Sequence, residues 1–232
     1  MRGGADRGNP VNDDLRQAVL ALKRERIVTV AAEMFHRQGF DHTTLDQVAL
    51  RLKVTKPFIY AHFRSKSELL AAVCVQGIDA ALRAIDRVLG GPGSPRDWLA
   101  AFAHDFLLAV FDRQQHIAVY TREEKHLDVA GRQSIESMRR EFDRKLTGLL
   151  DAGVASGEFD IAETPVAALA IGGMVSWASV WFRPDGRLSS DQVARKMSKL
   201  VMAMSRSSIR AATLAQRGPR NAGTYWRVEK NA

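Results

Sequence analysis

The stretch from Thr43 to Leu70, TTLDQVALRLKVTKPFIYAHFRSKSELL, constrains this chain more than any other. It holds two short helical patterns separated by a two-residue turn, with a third helix starting directly behind them. Thr43 and Thr44 are both residue types whose hydroxyl caps a helix start by accepting an unsatisfied backbone N–H. Leu45, Val48, Ala49 and Leu52 then recur at steps of three and four, which makes one face of a helix apolar. Asp46 falls in the first turn, where a negative charge suits the helix dipole. Lys53 and Val54 form the turn, and Thr55 is expected to cap the second helix. Pro57 lies in that helix's first turn, where its missing N–H does no harm. Phe58, Ile59 and Phe63 are expected to pack inward, with Tyr60 and His62 pointing out beside Lys56. Ser65, with Glu68 three residues on, predicts a capping box for the third helix.

Between Arg51 and Lys66 there are five basic residues (Arg51, Lys53, Lys56, Arg64, Lys66) and no acid. A positive face bearing Thr and Tyr hydroxyls is what phosphate contact requires. A helix-turn-helix is also how a small protein places one helix in the major groove of DNA. Spacing alone leaves a second reading open, an ordinary helical hairpin with a solvated charged face.

Upstream, ERIVTVAAEMFHRQGF (Glu25–Phe40) reads as a helix ending at Gly39, a natural C-cap, with Phe40 folding back on the core. Together with the Thr43–Leu70 pattern of turn, second helix, Tyr, Phe and Ser-Lys-x-x-Leu, it resembles the TetR family of bacterial transcriptional regulators from about Arg24 to Leu70. The resemblance implies DNA contact through Thr44, Thr55, Lys56, Phe58, Tyr60, His62 and Lys66. Tyr60 and Lys66 are expected on phosphates, and Thr55, Lys56 and Phe58 near base edges. Two positions depart from the family pattern. Lys53 stands where the family often has Gly, a strained choice if the turn needs positive φ. Pro57 and Phe58 replace small residues, so base readout differs and no operator sequence carries over from relatives.

The chain has 232 residues, 46% hydrophobic and 26% charged, enough for one or two domains with a sizeable core. A formal net charge of +8 favours an anionic partner without naming it. No apolar run is read as reaching the ~18 residues that span a bilayer, and no signal peptide is visible at the N-terminus. One Cys excludes an intramolecular disulfide framework. These readings suit a soluble cytoplasmic protein with no membrane partner.

No strand alternation or internal repeat is found, so an all-α fold is expected: an N-terminal three-helix DNA-binding domain and a C-terminal helical domain for ligand binding and dimerisation. Residues 1–19 read as a flexible, partly helical arm, capped at Asn12 or Asp13 and carrying Arg2, Arg7 and Arg16. Residues 20–68 form the DNA-binding domain, 69–205 the ligand-binding and dimerisation domain, and 206–232 a basic tail expected to be disordered. Within 69–205, helices are predicted from Ser67 to Leu89, Trp98 to Phe111, Gln115 to Glu124, Gly131 to Ala155, Thr164 to Trp181 and Asp191 to Met204. Gly153 and Gly157 are read as the stop after the fourth of these.

The Thr164–Trp181 helix is apolar nearly all round, with small residues and then Trp177 and Trp181, and a helix apolar on every side is expected to be buried. The resemblance implies that it and the last helix form the four-helix bundle of a homodimer, which matches a palindromic operator. Trp98, Phe102, Phe106, Phe111, Tyr120, Met138, Phe142, Trp177 and Trp181 are candidate linings of an apolar ligand cavity, with Arg122, Arg139, Arg140 and Arg183 available for an anionic group. A filled core is the competing reading for each aromatic. WASVWFRPDGRLSSDQVA (Trp177–Ala194), YTREEKHL (Tyr120–Leu127) and GLLDAGVASGEFD (Gly148–Asp160) are similar to family members that control lipid and sterol catabolism. That similarity implies an acyl-CoA thioester as effector; a neutral hydrophobic compound sensed by a regulator of drug efflux is the rival.

Catalysis finds little support. Cys74 lies in an apolar helical stretch as a small core residue. Glu123, Glu124 and His126 lack a convincing metal-ligand spacing, and no phosphate-cradling loop or nucleophile elbow is present. No cofactor or metal is expected. The alternative of another class is a nonspecific basic architectural protein bound to nucleic acid mainly through its tail.

Overall fold

A computed structural model describes residues 10–206, with side chains from residue 14 onward. The tail beyond 206 and the first nine residues of the arm lie outside the described residues. Among the described residues there is no strand, and nine α-helices and one 3-10 turn account for the fold.

Helix α1 (Pro10–Gln38) begins before Asn12 and Asp13, so neither is the cap expected at that end. Its first half is exposed, while Ile27, Val28, Ala31 and Phe35 on its second half are buried. Gly39 ends it at φ +83°, a conformation open to glycine at no steric cost, and its N–H bonds to Phe35 O at 3.0 Å. Thr44 caps α2 (Leu45–Leu52) in a reciprocal capping box with Gln47. Thr43 is fully buried instead and donates its hydroxyl to Gly39 O at 2.8 Å. The turn after α2 places Lys53 at φ 58°, ψ 40°, the left-handed conformation that glycine adopts at no steric cost.

Helix α3 (Lys56–Tyr60) is only five residues long, so His62 lies beyond its end. Thr55 occupies its N-cap, but no cap hydrogen bond forms from the Thr55 side chain, contrary to expectation. Ser65 does cap α4 (Lys66–Leu89), accepting from Glu68 N. The Glu68 carboxylate accepts instead from Arg64 N at 2.8 Å, so the predicted capping box is not reciprocal.

Helix α4 runs through both halves of the molecule. Its first turns, with Leu69, Leu70 and Val73, complete the core of α1–α3, and its later turns, with Leu82 and Ile85, enter the second core. The first core also takes in Val119, Leu127 and Ile135 from further along the chain. Helices α5 (Pro95–Asp112), α6 (Gln114–Glu123), α7 (Val129–Ala155), α8 (Thr164–Trp181) and α9 (Ser190–Met204) build the second half, with a 3-10 turn over Glu124–His126. Gly153 does not stop α7. It lies inside it, and the Phe159 ring occupies the space that a Cβ at Gly153 would need.

Two readings of α8 are corrected. Ala168, Ile171, Val175 and Ala178 are buried, but Val166 is 62% and Trp177 64% exposed, with Leu169, Val180 and Trp181 beside them. A helix apolar all round is therefore only half covered in the single chain. Its 18 uncharged residues are also long and apolar enough, by length and composition, to cross a membrane, contrary to the expectation from the sequence. It packs in the protein against α5 and α7.

Candidate nucleic-acid interface and apolar cavity

The expected DNA contacts gather around α2, α3 and the start of α4. Ile59 and Phe63 are fully buried and fix α3 to the core, while Tyr60, one residue from Ile59, is 52% exposed. Thr44 is exposed, and because its hydroxyl oxygen accepts from Gln47 N, its O–H remains able to donate outward. Thr55 and Lys56 are exposed on the same element. The Lys56 ammonium is hydrogen-bonded to the Asp46 carboxylate, which raises the lysine's pKa and holds the charge between α2 and α3.

Phe58 is half-buried, with His62 edge-on to its ring at 5.1 Å and the Lys23 ammonium over it at 5.8 Å. Burial, with Lys23 and Arg24 nearby, lowers the His62 pKa and favours the neutral imidazole. Arg24 stacks on Phe63 at 4.0 Å and donates to His62 O at 2.5 Å, so α1 clamps the end of the recognition segment. Lys66 is partly committed inside the protein: its ammonium donates to Phe40 O at 2.9 Å and sits 4.1 Å over the Phe40 ring.

The second site is a cavity of about 460 Å³ among α4, α5, α6, α7 and α8. Ile78, Phe106, Val110, Ile117, Ile135 and Phe142 supply apolar wall; Tyr120, Thr121, Arg139, Asp143 and Ser176 supply polar groups. Leu169, Gly173, Trp177 and Val180 bring it to the half-covered side of α8. Of the residues expected around a ligand, the structure brings Phe106, Tyr120, Phe142, Trp177 and Arg139 to this wall. The others stand elsewhere: Phe111 stacks on Phe182, and Arg140 is exposed beside Glu136. Phe102 is fully buried against Phe106 and Phe142, behind the wall. Trp98 packs at the far start of α5 near Gly93, and Met138 leans on the core. Trp181 faces out, and Arg183 donates to Val180 O and Phe182 O to close the end of α8. Arg122 turns away to α1.

Reading the chain missed Asp143, whose carboxyl is pushed up by burial, partly offset by Arg139. Its signal was the four-residue step from Arg139 on the face shared with Ile135 and Phe142. Cys74 also lines the cavity. Burial drives its thiol up to about 12, with Glu123 and Glu124 adding to the rise, so it is un-ionised and inert.

Helix α6 connects the two sites. At its start, Gln114 donates to Ser179 O at 2.5 Å and Phe182 O at 3.0 Å, which ties it to the end of α8. Tyr120 and Thr121 line the cavity, and the next two residues leave it. Arg122 donates to Phe35 O and, at 3.1 Å, to His36 O, the last carbonyls of α1. The buried Glu123 carboxylate accepts from Arg122 at 2.8 Å and from Phe40 N at 3.3 Å. Phe40 stacks on His126 at 4.6 Å.

Residues 27–73 match the family model of bacterial regulatory proteins of the tetR family, and residues 92–205 match the tetracyclin repressor-like C-terminal domain. The chain belongs to the TetR family. Its members are DNA-binding transcriptional regulators, and this regulator carries both of the family's parts. It is 26% identical over 184 residues to the HTH-type transcriptional repressor KstR2 of Mycolicibacterium smegmatis, covering 78% of this chain and 90% of that one. Among solved structures, it is similar to the TetR family transcriptional regulator PfmR from Thermus thermophilus, with a TM-score of 0.70 and 26% identity over 77% of this chain and 97% of that one. It is likewise similar to AibR in complex with isovaleryl coenzyme A and operator DNA, with a TM-score of 0.67 and 25% identity over 78% of this chain and 98% of that one.

Proposed function

We propose that this regulator is a cytoplasmic homodimeric repressor that binds a palindromic operator and is released from it by a hydrophobic effector of the acyl-CoA thioester class. The observation that carries the reading is the single turn of α6 in which Tyr120 and Thr121 face the cavity while Arg122 and Glu123 hold the end of α1. A ligand that moves this turn moves the helix against which α2 and α3 pack. It shifts the equilibrium only by its differential affinity for the two arrangements. Helix α4 is the second lever, because Leu69 and Leu70 belong to the DNA-binding core and Cys74 and Ile78 to the cavity wall.

DNA contact in this reading comes from Thr44, Thr55, Lys56, Tyr60 and the neighbouring Phe58, His62 and Lys66. The partner surface is the uncharged outer face of α8 together with Leu200 and Met204 of α9, all exposed in the single chain. The thioester class is supported by the mainly apolar wall, by the Arg139 guanidinium at the cavity, and by the ligand of AibR.

The test is fluorescence anisotropy of the full chain on DNA from directly upstream of its own reading frame, titrated with short, long-chain and sterol-derived acyl-CoA thioesters. Release by a thioester, but not by free CoA or by the free acid, is the expected result. Firm binding that no thioester disturbs would overturn the effector class and turn the search to neutral hydrophobic compounds of the kind sensed by regulators of drug efflux.

A further inference from the structure

Helix α7 carries four oppositely charged pairs at i,i+4 spacing; Glu136 turns to Arg140 rather than to Arg132, and the pair at the cavity stays open. Glu136 and Arg140 close to 3.8 Å, and Glu141 and Lys145 to 2.8 Å, as side chains at this spacing commonly do. Arg139 and Asp143 do not close. Among the described residues, neither makes a hydrogen bond or ion pair within 4.0 Å, although both line the cavity. Arg139 lies over the Tyr120 ring, 4.8 Å from its centre, which holds the guanidinium while leaving its N–H groups without acceptors among the described residues. Asp143 is half-buried in the wall beside the fully apolar Phe142. The order, Arg before Asp, is the less favourable one for closing such a pair.

The cavity thus offers a fork of donors and an acceptor about 5–6 Å apart at the Cβ level, on a mainly apolar surface whose other polar side chains are Tyr120, Thr121, Ser176 and Ser179. A plain acyl chain satisfies only the donors, through its carbonyl oxygen. From this geometry, and resting on the acyl effector proposed above, we infer that the effector is a hydroxylated acyl compound. Its carbonyl oxygen accepts from Arg139, a hydroxyl close along the chain donates to Asp143, and the apolar remainder lies against Phe106 and Ile78. The carboxylate selects by a charge-assisted hydrogen bond, which rejects a ligand that lacks the donor because Asp143 is then desolvated without a partner.

Isothermal titration calorimetry of the full chain with 3-hydroxydecanoyl-CoA and decanoyl-CoA tests this. The hydroxylated thioester is expected to bind at least about tenfold more tightly. Asp143→Asn, which keeps the shape, and Asp143→Leu are both expected to remove most of that preference, by weakening the hydroxylated ligand and, in Asp143→Leu, by also strengthening the plain one, which no longer desolvates a carboxylate. Arg139→Met is expected to weaken both ligands. Equal affinity of the two thioesters for the native protein, or a preference that survives in both Asp143 variants, would overturn the hydroxyl assignment and leave the acyl reading standing. Binding of neither thioester would overturn the acyl reading itself.

Discussion

Lys53 holds the turn of the DNA-binding unit in a conformation that costs a non-glycine residue about 1–2 kcal/mol. Glycine avoids that cost but loses about 0.5–1 kcal/mol of backbone entropy. Lys53→Gly is therefore expected to stabilise the protein by about 0.5–1 kcal/mol in urea denaturation, with no gain in operator affinity. His116 makes the opposite case, a polar residue where burial works against it. Its Nδ1 is buried without a hydrogen-bond partner, and burial, together with Arg113, pushes the imidazole down to about 4 against a slight opposing pull from Asp112. The unfolded chain takes up this proton near pH 6.5 and the folded chain only near 4, so between those values the unfolded state binds more protons. Stability is expected to be flat above about pH 6.5 and to fall as pH drops toward 4, less steeply in His116→Phe. Equal pH slopes in the two proteins would contradict the assignment. Two helix starts were legible at this scale, because Thr44 and Ser65 act locally through their own hydroxyls; the cap at Ser189 was not read as one. The hydroxyl of Thr55 and the carboxylate of Glu68 were not, since their partners depend on how the next turn is aimed.

At the scale of elements, the proposed regulation rests on α6. Its ends are tied by side-chain hydrogen bonds to backbone carbonyls, Gln114 to the end of α8 and Arg122 to the end of α1. Arg122→Ala removes the second tie without touching the cavity wall or the DNA face. Operator affinity without effector should stay within about threefold, while the effector-induced loss of affinity shrinks by about 1–2 kcal/mol in an anisotropy titration. An unchanged effector response would place the coupling in α4 instead. Nothing in the sequence distinguishes Arg122 from a solvated arginine, because the carbonyls it reaches lie 86 and 87 residues away. The cavity lining was half legible for a related reason. Phe102 and Phe106 are one turn apart on the same apolar stripe, and only the neighbouring helices decide that one fills the core and the other faces the space.

For the whole molecule, the outer face of α8 is the feature that a single chain leaves unfinished. Val166, Leu169, Gly173 and Trp177 recur along it at helical spacing, with no charge anywhere in the helix. Val166 lies outside the cavity wall, so Val166→Glu tests the partner surface without disturbing ligand contacts. Two like charges meeting across a two-fold interface cost several kcal/mol. The variant is expected to sediment as a monomer at micromolar concentration and to lose most of its operator affinity. A variant that remains dimeric would move the interface elsewhere.

The claim on which the whole account depends is that the α2–α3 unit reads DNA sequence, rather than the chain's positive charge simply holding any duplex. The most direct measurement is anisotropy of the full chain at about 0.15 M salt on two duplexes of equal length, its own upstream region and a scrambled copy. A sequence-reading regulator should prefer the upstream duplex by about a thousandfold or more, and Tyr60→Ala should weaken that binding. Equal affinity for the two duplexes, unaffected by Tyr60→Ala and falling steeply with salt, would contradict it and mark a nonspecific basic nucleic-acid-binding protein.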